Sequence, residues 1–198
     1  MTIINQTFFA QPTLTVARRL LGQRLVRELD GRRLSARIVE TEAYVGPTDT
    51  ACHASKGRTP RTEVMFGPPG RAYVYLVYGM HSMLNLVTEE EGFPAAVLIR
   101  AVESVEGVEV MHAYRQLKNP KPENLTNGPG KLCQALAIDR ILNNWDVTLG
   151  QRLWIERDEF ITDDLIVTGP RIGIDYAKPK DRVAPWRFWI AGNGFVSK

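Results

Sequence analysis

The spacing of apolar residues changes along the chain from helical to strand-like. Apolar residues recur at helical spacing over Leu14–Leu21, and Gly22 follows where a helix can end in a left-handed residue, so we predict a short amphipathic helix. Two strand-like segments, Gln23–Asp30 and Leu34–Val45, surround the turn signal Asp30-Gly31. This arrangement predicts a β-hairpin.

Aromatic and β-branched residues mark further strands. The segment RAYVYLVY ends at Tyr78, and SMLNLVT follows the Gly79 break as its hairpin partner. Other strands are predicted at Ala95–Val102, Leu153–Glu156, Ile172–Ile174 and Trp186–Ile190. Helical spacing returns over Val105–Leu117 and Lys131–Ile138. Since strands dominate and the helices are peripheral, we predict an α+β fold with a curved, mainly antiparallel sheet, as a single domain over residues 1–198.

One long polar segment interrupts this pattern. It runs from Gly46 to Gly70 and is rich in Gly, Pro, Thr and Arg. A connection of this length is unusual in a compact domain unless it has a role of its own. We therefore expect a functional loop.

Composition adds a mild basic bias and little else. The 198 residues include 25 Lys and Arg against 22 Asp and Glu, and the pI of about 8.9 permits nucleic acid as a partner without demonstrating it. Cys52 and Cys133 lie far apart, so we expect no zinc site, iron–sulfur cluster or other cofactor, while a disulfide stays open. The sequence has neither a secretory signal nor an apolar stretch of transmembrane length, which predicts an intracellular protein without membrane association.

Two carboxylates and an aromatic residue share one face of a predicted strand. Strand alternation places Glu40, Glu42 and Tyr44 on the same side. The face could be an ordinary solvated surface. It could also be a saccharide-cleaving acid pair, since same-face residues lie roughly 6.5 to 7 Å apart. A saccharide groove would be needed, and the downstream aromatic residues suit a flat base better.

Other candidate residues follow in the loop and the hairpin. His53 lies in the loop and either faces solvent or contacts the edge of a heterocycle in a pocket. Tyr75 could line a pocket on the sheet, whereas Tyr78, with opposite parity at the hairpin tip, is either an ordinary strand aromatic or a wedge. Lys131, in GPGKL before a predicted helix, either contacts phosphate or belongs to a simple turn and cap.

Long segments of the chain closely resemble the alkyladenine (3-methyladenine) DNA glycosylase family, represented by the mammalian enzyme. They are, in order, VETEAYVGPTDTACHA, GRTPRTEVMFGPPGRAYVYLVYGMH, LIRAVE, LTNGPGKLCQALAI and RIGIDYA. The resemblance extends over nearly the whole chain and implies one α+β domain with a curved antiparallel sheet. It also implies an enzyme that flips a damaged purine out of duplex DNA and hydrolyses its N-glycosidic bond.

The resemblance implies roles for individual residues. Glu42 would be the general base and Arg100 would help to orient the catalytic water, which leaves Glu40 a supporting or surface role. The base pocket would consist of Tyr44, His53, Tyr75 and Asn85, with Asn85 at its floor. Tyr78 would enter the duplex where the lesion has left. Positions that match residues near the DNA backbone or groove are Arg58, Thr59, Met80, His81 and Lys131.

The sequence departs from the family pattern in two places. Thr62 stands where the pattern has Asn in T-P-R-N, and the segment between Asn85 and Arg100 differs in length from the mammalian one.

The expected substrate is double-stranded DNA with alkylated or deaminated purines, of the 3-methyladenine, 7-methylguanine, hypoxanthine and ethenoadenine class. No nucleophilic lysine is implied, so we expect no lyase activity, and we expect a monomer because one lesion has no two-fold symmetry. Two other functions stay open. One is a non-catalytic nucleic-acid-binding domain, and the other is a saccharide glycosidase that uses Glu40 and Glu42.

Overall fold

The computed structural model describes residues 2–117 and 121–197. Within these ranges it confirms an α+β fold in which eight strands form one mainly antiparallel, curved sheet with short helices around it. The strands are β1 (Arg24–Leu29), β2 (Arg32–Val45), β3 (Ala72–Val77), β4 (His81–Val87), β5 (Ala95–Glu106), β6 (Leu153–Glu156), β7 (Ile166–Gly169) and β8 (Arg187–Ile190). The α-helices are α1 (Gln6–Phe9), α2 (Thr13–Leu20), α3 (Val108–Arg115), α4 (Pro129–Ala135) and α5 (Pro179–Arg182).

Strand β2 is the centre of the sheet, whose main path runs β3-β4-β5-β2-β1-β6. One side of β2 pairs with β5. The other side pairs first with β1 and then, at Glu40–Glu42, with β8, which continues to β7. The register of β2 against β5 shifts around Glu40. Such a bulge bends a strand and redirects its side chains, and here it occurs beside the two candidate carboxylates.

The core lies between the sheet and α2. This helix buries Val16, Ala17 and Leu20, and the Thr41 hydroxyl donates to the Ala17 carbonyl at 2.9 Å. Full burial of a Val or Leu side chain contributes about 1.5 to 3 kcal/mol. Thr41 thus faces the helix, so its neighbours in β2 point away from α2.

The predicted functional loop is packed rather than extended. It contains two 3₁₀ helices, His53–Lys56 and Glu63–Phe66. A second apolar cluster, which includes Ala54, Met65 and Tyr73, holds this loop against the sheet. Thr62 is 2% exposed, and its hydroxyl donates to the Gly57 carbonyl and accepts from the Thr59 amide, so it organises the turn in place of Asn.

The structure corrects several predicted elements. The strand predicted at Ile172–Ile174 is wrong, because the Ile172 amide donates to a Glu42 carboxylate oxygen instead of a strand ladder. The strand in that region is Ile166–Gly169. The helix predicted from Val105 begins at Val108, because β5 runs to Glu106 and Gly107 adopts a left-handed φ of 72°.

Other boundaries shift by a few residues. The predicted Lys131–Ile138 helix is α4, which begins at Pro129 and ends at Ala135. Helices α1 and α5 are four residues each and were not predicted. No helix among residues 2–117 and 121–197 is long and apolar enough to cross a membrane.

Candidate active site

A cavity of about 470 Å³ opens between the loop, the β3–β4 hairpin and residues 172–176. Its size lies in the usual range for small-ligand pockets. Six of the residues implicated by the sequence line it, namely Tyr44, His53, Tyr75, Tyr78, Asn85 and Arg100. The long loop, which the sequence predicted to be functional, thus lines part of this cavity.

Glu42 lies directly behind the wall of this cavity and is fully buried. Its Oε1 accepts from the Ile172 amide at 2.8 Å and pairs with Arg100 Nη1 at 3.2 Å. Its Oε2 accepts from the Tyr44 hydroxyl at 2.8 Å. All three partners line the cavity, so the carboxylate is separated from it by these groups alone among its hydrogen-bond and ion-pair partners.

Glu40 is also fully buried, and the alternative that gave it a surface role is wrong. Its Oε1 accepts from Arg100 Nε at 3.2 Å and from Arg187 Nε at 2.6 Å. Arg100 therefore bridges the two carboxylates through different nitrogen atoms. The charges of two glutamates and two arginines balance here, and their pairing offsets the free-energy cost of desolvating them.

The Tyr44 ring is supported from within the protein. Arg171 lies 4.8 Å from the Tyr44 ring centroid and 4.9 Å from the Trp186 centroid. The Arg171 side chain forms a fully buried ion pair with Asp49 and donates to the Ala43 carbonyl. Burial and the adjacent Glu42 raise the pKa of Tyr44 well above its ordinary value, so its hydroxyl stays protonated and donates to Glu42.

His53 contacts the aromatic wall at the edge of the cavity. Its ring packs edge-on against Tyr75 with centroids 4.6 Å apart, and its Nδ1 lies 3.1 Å from the Tyr73 hydroxyl. Arg61 Nη2 lies 3.4 Å from His53 Nε2, and its guanidinium lies 5.1 Å from the Tyr75 centroid. Burial, reinforced by the Arg61 charge, lowers the pKa of His53 to about 4, so the ring is neutral at pH 7.

Asn85 lies on β4 opposite Tyr73 and is 4% exposed. Its Nδ2 donates to the Tyr73 carbonyl at 3.1 Å. This bond fixes the amide at the cavity wall. Among the described residues, no three His, Cys, Asp or Glu side chains form a group that could hold a metal ion.

A model of the methylpurine-DNA glycosylase family matches residues 7–194. The chain belongs to this family. Three relatives are similar in sequence over nearly their whole length, and each bears the name "Putative 3-methyladenine DNA glycosylase". The Methanocella arvoryzae protein is 52% identical, with 100% of this chain and 97% of the relative covered. The Alkaliphilus oremlandii protein is 49% identical, with 98% of each covered, and the Desulfitobacterium hafniense protein is 49% identical, with 100% and 99% covered.

In this methylpurine-DNA glycosylase family member, the β3–β4 hairpin projects from the mouth of the cavity. Tyr78 at its tip is 87% exposed with a positive φ of 52°, and Met80 is 73% exposed. His81 is exposed beside them, and a Cβ placed on Gly130 would lie 3.3 Å from the His81 Cβ, so the start of α4 adjoins the hairpin. Lys131 is half-buried, and its ammonium donates to Asn127 at 2.7 Å.

The other residues predicted near DNA lie on the loop outside the cavity. Arg58 and Thr59 are exposed. Arg58 pairs with Glu63 at 3.1 Å and lies over the Phe66 ring at 5.0 Å. The predicted site residues of this family member therefore form two groups, one around the cavity and one on the surface surrounding its mouth.

Four residues that the sequence analysis did not single out belong to the site: Asp49, Arg61, Arg171 and Tyr176. Tyr176 lines the cavity, and its hydroxyl donates to the Ala51 carbonyl at 2.8 Å. Asp49 belongs to VETEAYVGPTDTACHA, Arg61 to the GRTPR run, and Arg171 and Tyr176 to RIGIDYA, so the family segments of the sequence contained all four residues. Their roles depend on contacts between distant parts of the chain, which a single sequence does not reveal.

Proposed function

We propose that the protein is a monofunctional DNA glycosylase that takes an alkylated or deaminated purine, flipped out of duplex DNA, into this cavity and hydrolyses its N-glycosidic bond. The observation that carries the proposal is the buried Glu42 carboxylate, held against an aromatic cavity by Tyr44, Arg100 and the Ile172 amide. Membership of the methylpurine-DNA glycosylase family and the names of the relatives support the same reaction class.

Base flipping has a physical rationale in the hairpin. Extrusion of a nucleotide costs a few kcal/mol, and least for a damaged or mispaired base. Tyr78 at the exposed tip can fill the vacated space and slow the return of the base, as apolar wedges do in other DNA-bending proteins. Met80, His81, Arg58, Thr59 and Lys131 would contact the adjoining DNA backbone or groove.

The flipped base would stack against Tyr44 and Tyr75. Aromatic faces attract a cationic alkylpurine by about 0.5 to 2 kcal/mol beyond ordinary contact. His53, neutral at pH 7, can donate or accept a hydrogen bond at the edge of the base. Asn85 on β4 also lines the cavity. Neutral lesions such as hypoxanthine would depend more on these polar contacts, because they lack a leaving-group charge.

Cleavage would proceed through an oxocarbenium-like sugar. Glu42 would stabilise this cation and take a proton from the attacking water, and Arg100, which pairs with Glu42, would help to orient that water. Loss of the base as leaving group and attack of water on the sugar C1′ yield a free purine and an abasic strand. Because water is the nucleophile in this mechanism, no Schiff base forms and no lyase activity is expected.

The experiment is release of free base from an alkylated duplex, followed by chromatography. The proposal expects free 3-methyladenine or 7-methylguanine, in a chelator as well as without it, and an intact abasic strand. Saccharide cleavage with no base release would favour the carboxylate-pair glycosidase, and binding without release would favour a non-catalytic domain. A protein–DNA adduct trapped by borohydride would overturn the purely hydrolytic mechanism.

The same proposal includes a monomer acting through one domain over the whole chain. A single lesion offers no two-fold axis for a symmetric dimer. Sedimentation of the protein with and without lesion duplex tests this, with one protein per duplex expected.

A further inference from the structure

The C-terminal segment reaches back into the ion cluster behind the cavity. The Ser197 amide donates to Glu40 Oε2 at 2.7 Å, and its hydroxyl donates to Glu40 Oε1 at 2.9 Å. Arg100 Nη2 lies 3.3 Å from the Ser197 hydroxyl oxygen, and Arg187 Nη2 donates to the Ser197 carbonyl at 3.3 Å. One residue near the end of the chain thus contacts three of the four charged groups in the cluster.

The segment is held in place by its own turn. The Asn193 side chain accepts from the Phe195 amide at 2.9 Å and donates to Glu103 at 3.0 Å. Ser197 is itself 9% exposed. The family model ends at residue 194, so Ser197 lies beyond the part of the chain that the family match describes.

We propose that Ser197 is a positioning residue for the glycosylase reaction, acting on Glu42 through Glu40 and Arg100. This inference rests on the function proposed above. Among the described residues, the Ser197 amide is the one hydrogen-bond donor to Glu40 Oε2, while Arg100, Arg187 and the Ser197 hydroxyl converge on Oε1. Ser197 therefore fixes the rotation of the Glu40 carboxylate.

That rotation determines where Arg100 lies. Glu40 holds Arg100 Nε, and the neighbouring Nη1 contacts Glu42 Oε1 at 3.2 Å. When the Ser197 hydroxyl is absent, both Glu40 Oε1 and Arg100 Nη2 lose a partner in a region without solvent. The guanidinium is then free to settle closer to Glu40 and away from Glu42. Small displacements of groups that orient reactants have large effects on rate.

The experiment measures single-turnover excision from a lesion duplex for six variants, with lesion-DNA affinity measured in parallel. Ser197→Ala should lower the excision rate constant about 10-fold, the size expected for one lost hydrogen bond to a charged group, with affinity unchanged. Ser197→Thr, which keeps the hydroxyl, should retain most of the rate. Ser104→Ala, at a half-buried serine on β5, is the matched control and should behave as wild type. Ser197→Ala added to Arg100→Gln should cause no further loss, because the hydroxyl acts through Arg100.

The outcomes separate this inference from the proposed function. Wild-type excision by Ser197→Ala, or an equal loss in the Arg100→Gln background, would overturn the positioning role. Glu42→Gln is measured in the same assay, because it tests the proposed function itself. If it is inactive while Ser197→Ala is fully active, only the inference fails. If Glu42→Gln excises at the wild-type rate, the general base of the proposed function is wrong and the positioning of Glu42 fails with it. A loss in Ser197→Ala that depends on Arg100 would then show only that Ser197 positions Arg100.

Discussion

His53 illustrates how a neighbouring charge and burial set the chemistry of one residue. Burial is the larger cause of its lowered pKa, and the Arg61 guanidinium adds to it. A neutral ring can donate through one nitrogen and accept through the other, whereas the protonated ring only donates. The sequence identified His53 as a pocket residue but gave no means of predicting its protonation, because Arg61 meets it through the fold of the loop.

We expect the His53 ring to titrate near pH 4 in wild type. Arg61→Gln should raise this pKa, yet leave it below 6.5 because burial remains. NMR titration of the ring protons, assigned with a His53→Gln variant, measures both values. The unfolded chain binds this proton at a higher pH than the folded protein does. The free energy of unfolding is therefore unaffected by His53 above about pH 6.5 and decreases as the pH falls from 6.5 toward 4. A wild-type value near 6.5 would contradict this reading.

Asn85 is the residue we expect to exclude normal guanine. Its amide is held by the Tyr73 carbonyl, so the 2-amino group of guanine would have to displace a fixed side chain. Hypoxanthine has only a hydrogen atom at this position and would not. Asn85→Ala and Asn85→Ser should raise guanine excision relative to hypoxanthine, by roughly 1 to 3 kcal/mol of lost discrimination. Matched duplexes in single-turnover assays give the ratio. An unchanged ratio would leave Asn85 a purely structural role.

At the scale of elements, alternation and turn chemistry were sufficient for the central strands. The β1–β2 and β3–β4 hairpins are found at the predicted turns. The pattern failed at Ile172–Ile174, where apolar residues alternate but the Ile172 amide donates to the buried Glu42 carboxylate. Arg171, next to this segment, reaches Asp49 across 122 positions of sequence. Contacts of that range decide the local conformation, and local pattern does not contain them.

Removal of one partner of the Arg171–Asp49 pair should destabilise the protein strongly, because both side chains are fully buried. Arg171→Ala leaves an uncompensated buried carboxylate, and we expect the free energy of unfolding to fall by about 3 to 5 kcal/mol. Arg182 and Asp175, a nearby pair at 3.8 Å with side chains 50% and 98% exposed, provide the control. Arg182→Ala should cost at most about 1 kcal/mol. Urea unfolding compares the two, and equal losses would show that burial is not decisive.

At the scale of the whole molecule, the sheet assembles the site from distant segments. β2 supplies Glu42 and Tyr44, β5 supplies Arg100, and the β3–β4 hairpin supplies Tyr75 and the exposed tip. The sequence predicted the sheet and, through the family resemblance, most of the cavity. It did not predict that Glu40 is buried, because alternation alone allows a solvated face, and the C-terminal segment that covers Glu40 gave no signal of its own.

The most direct test of this account is a pair of measurements on Glu42→Gln. The amide keeps the shape of the side chain and removes both the base and the negative charge. We expect lesion-duplex affinity at least equal to wild type and a single-turnover excision rate lower by about 100-fold to 10,000-fold, the usual contribution of a general base. Glu91→Gln, at an exposed glutamate, is the control and should match wild type. Excision by Glu42→Gln at a rate near that of wild type would contradict the account.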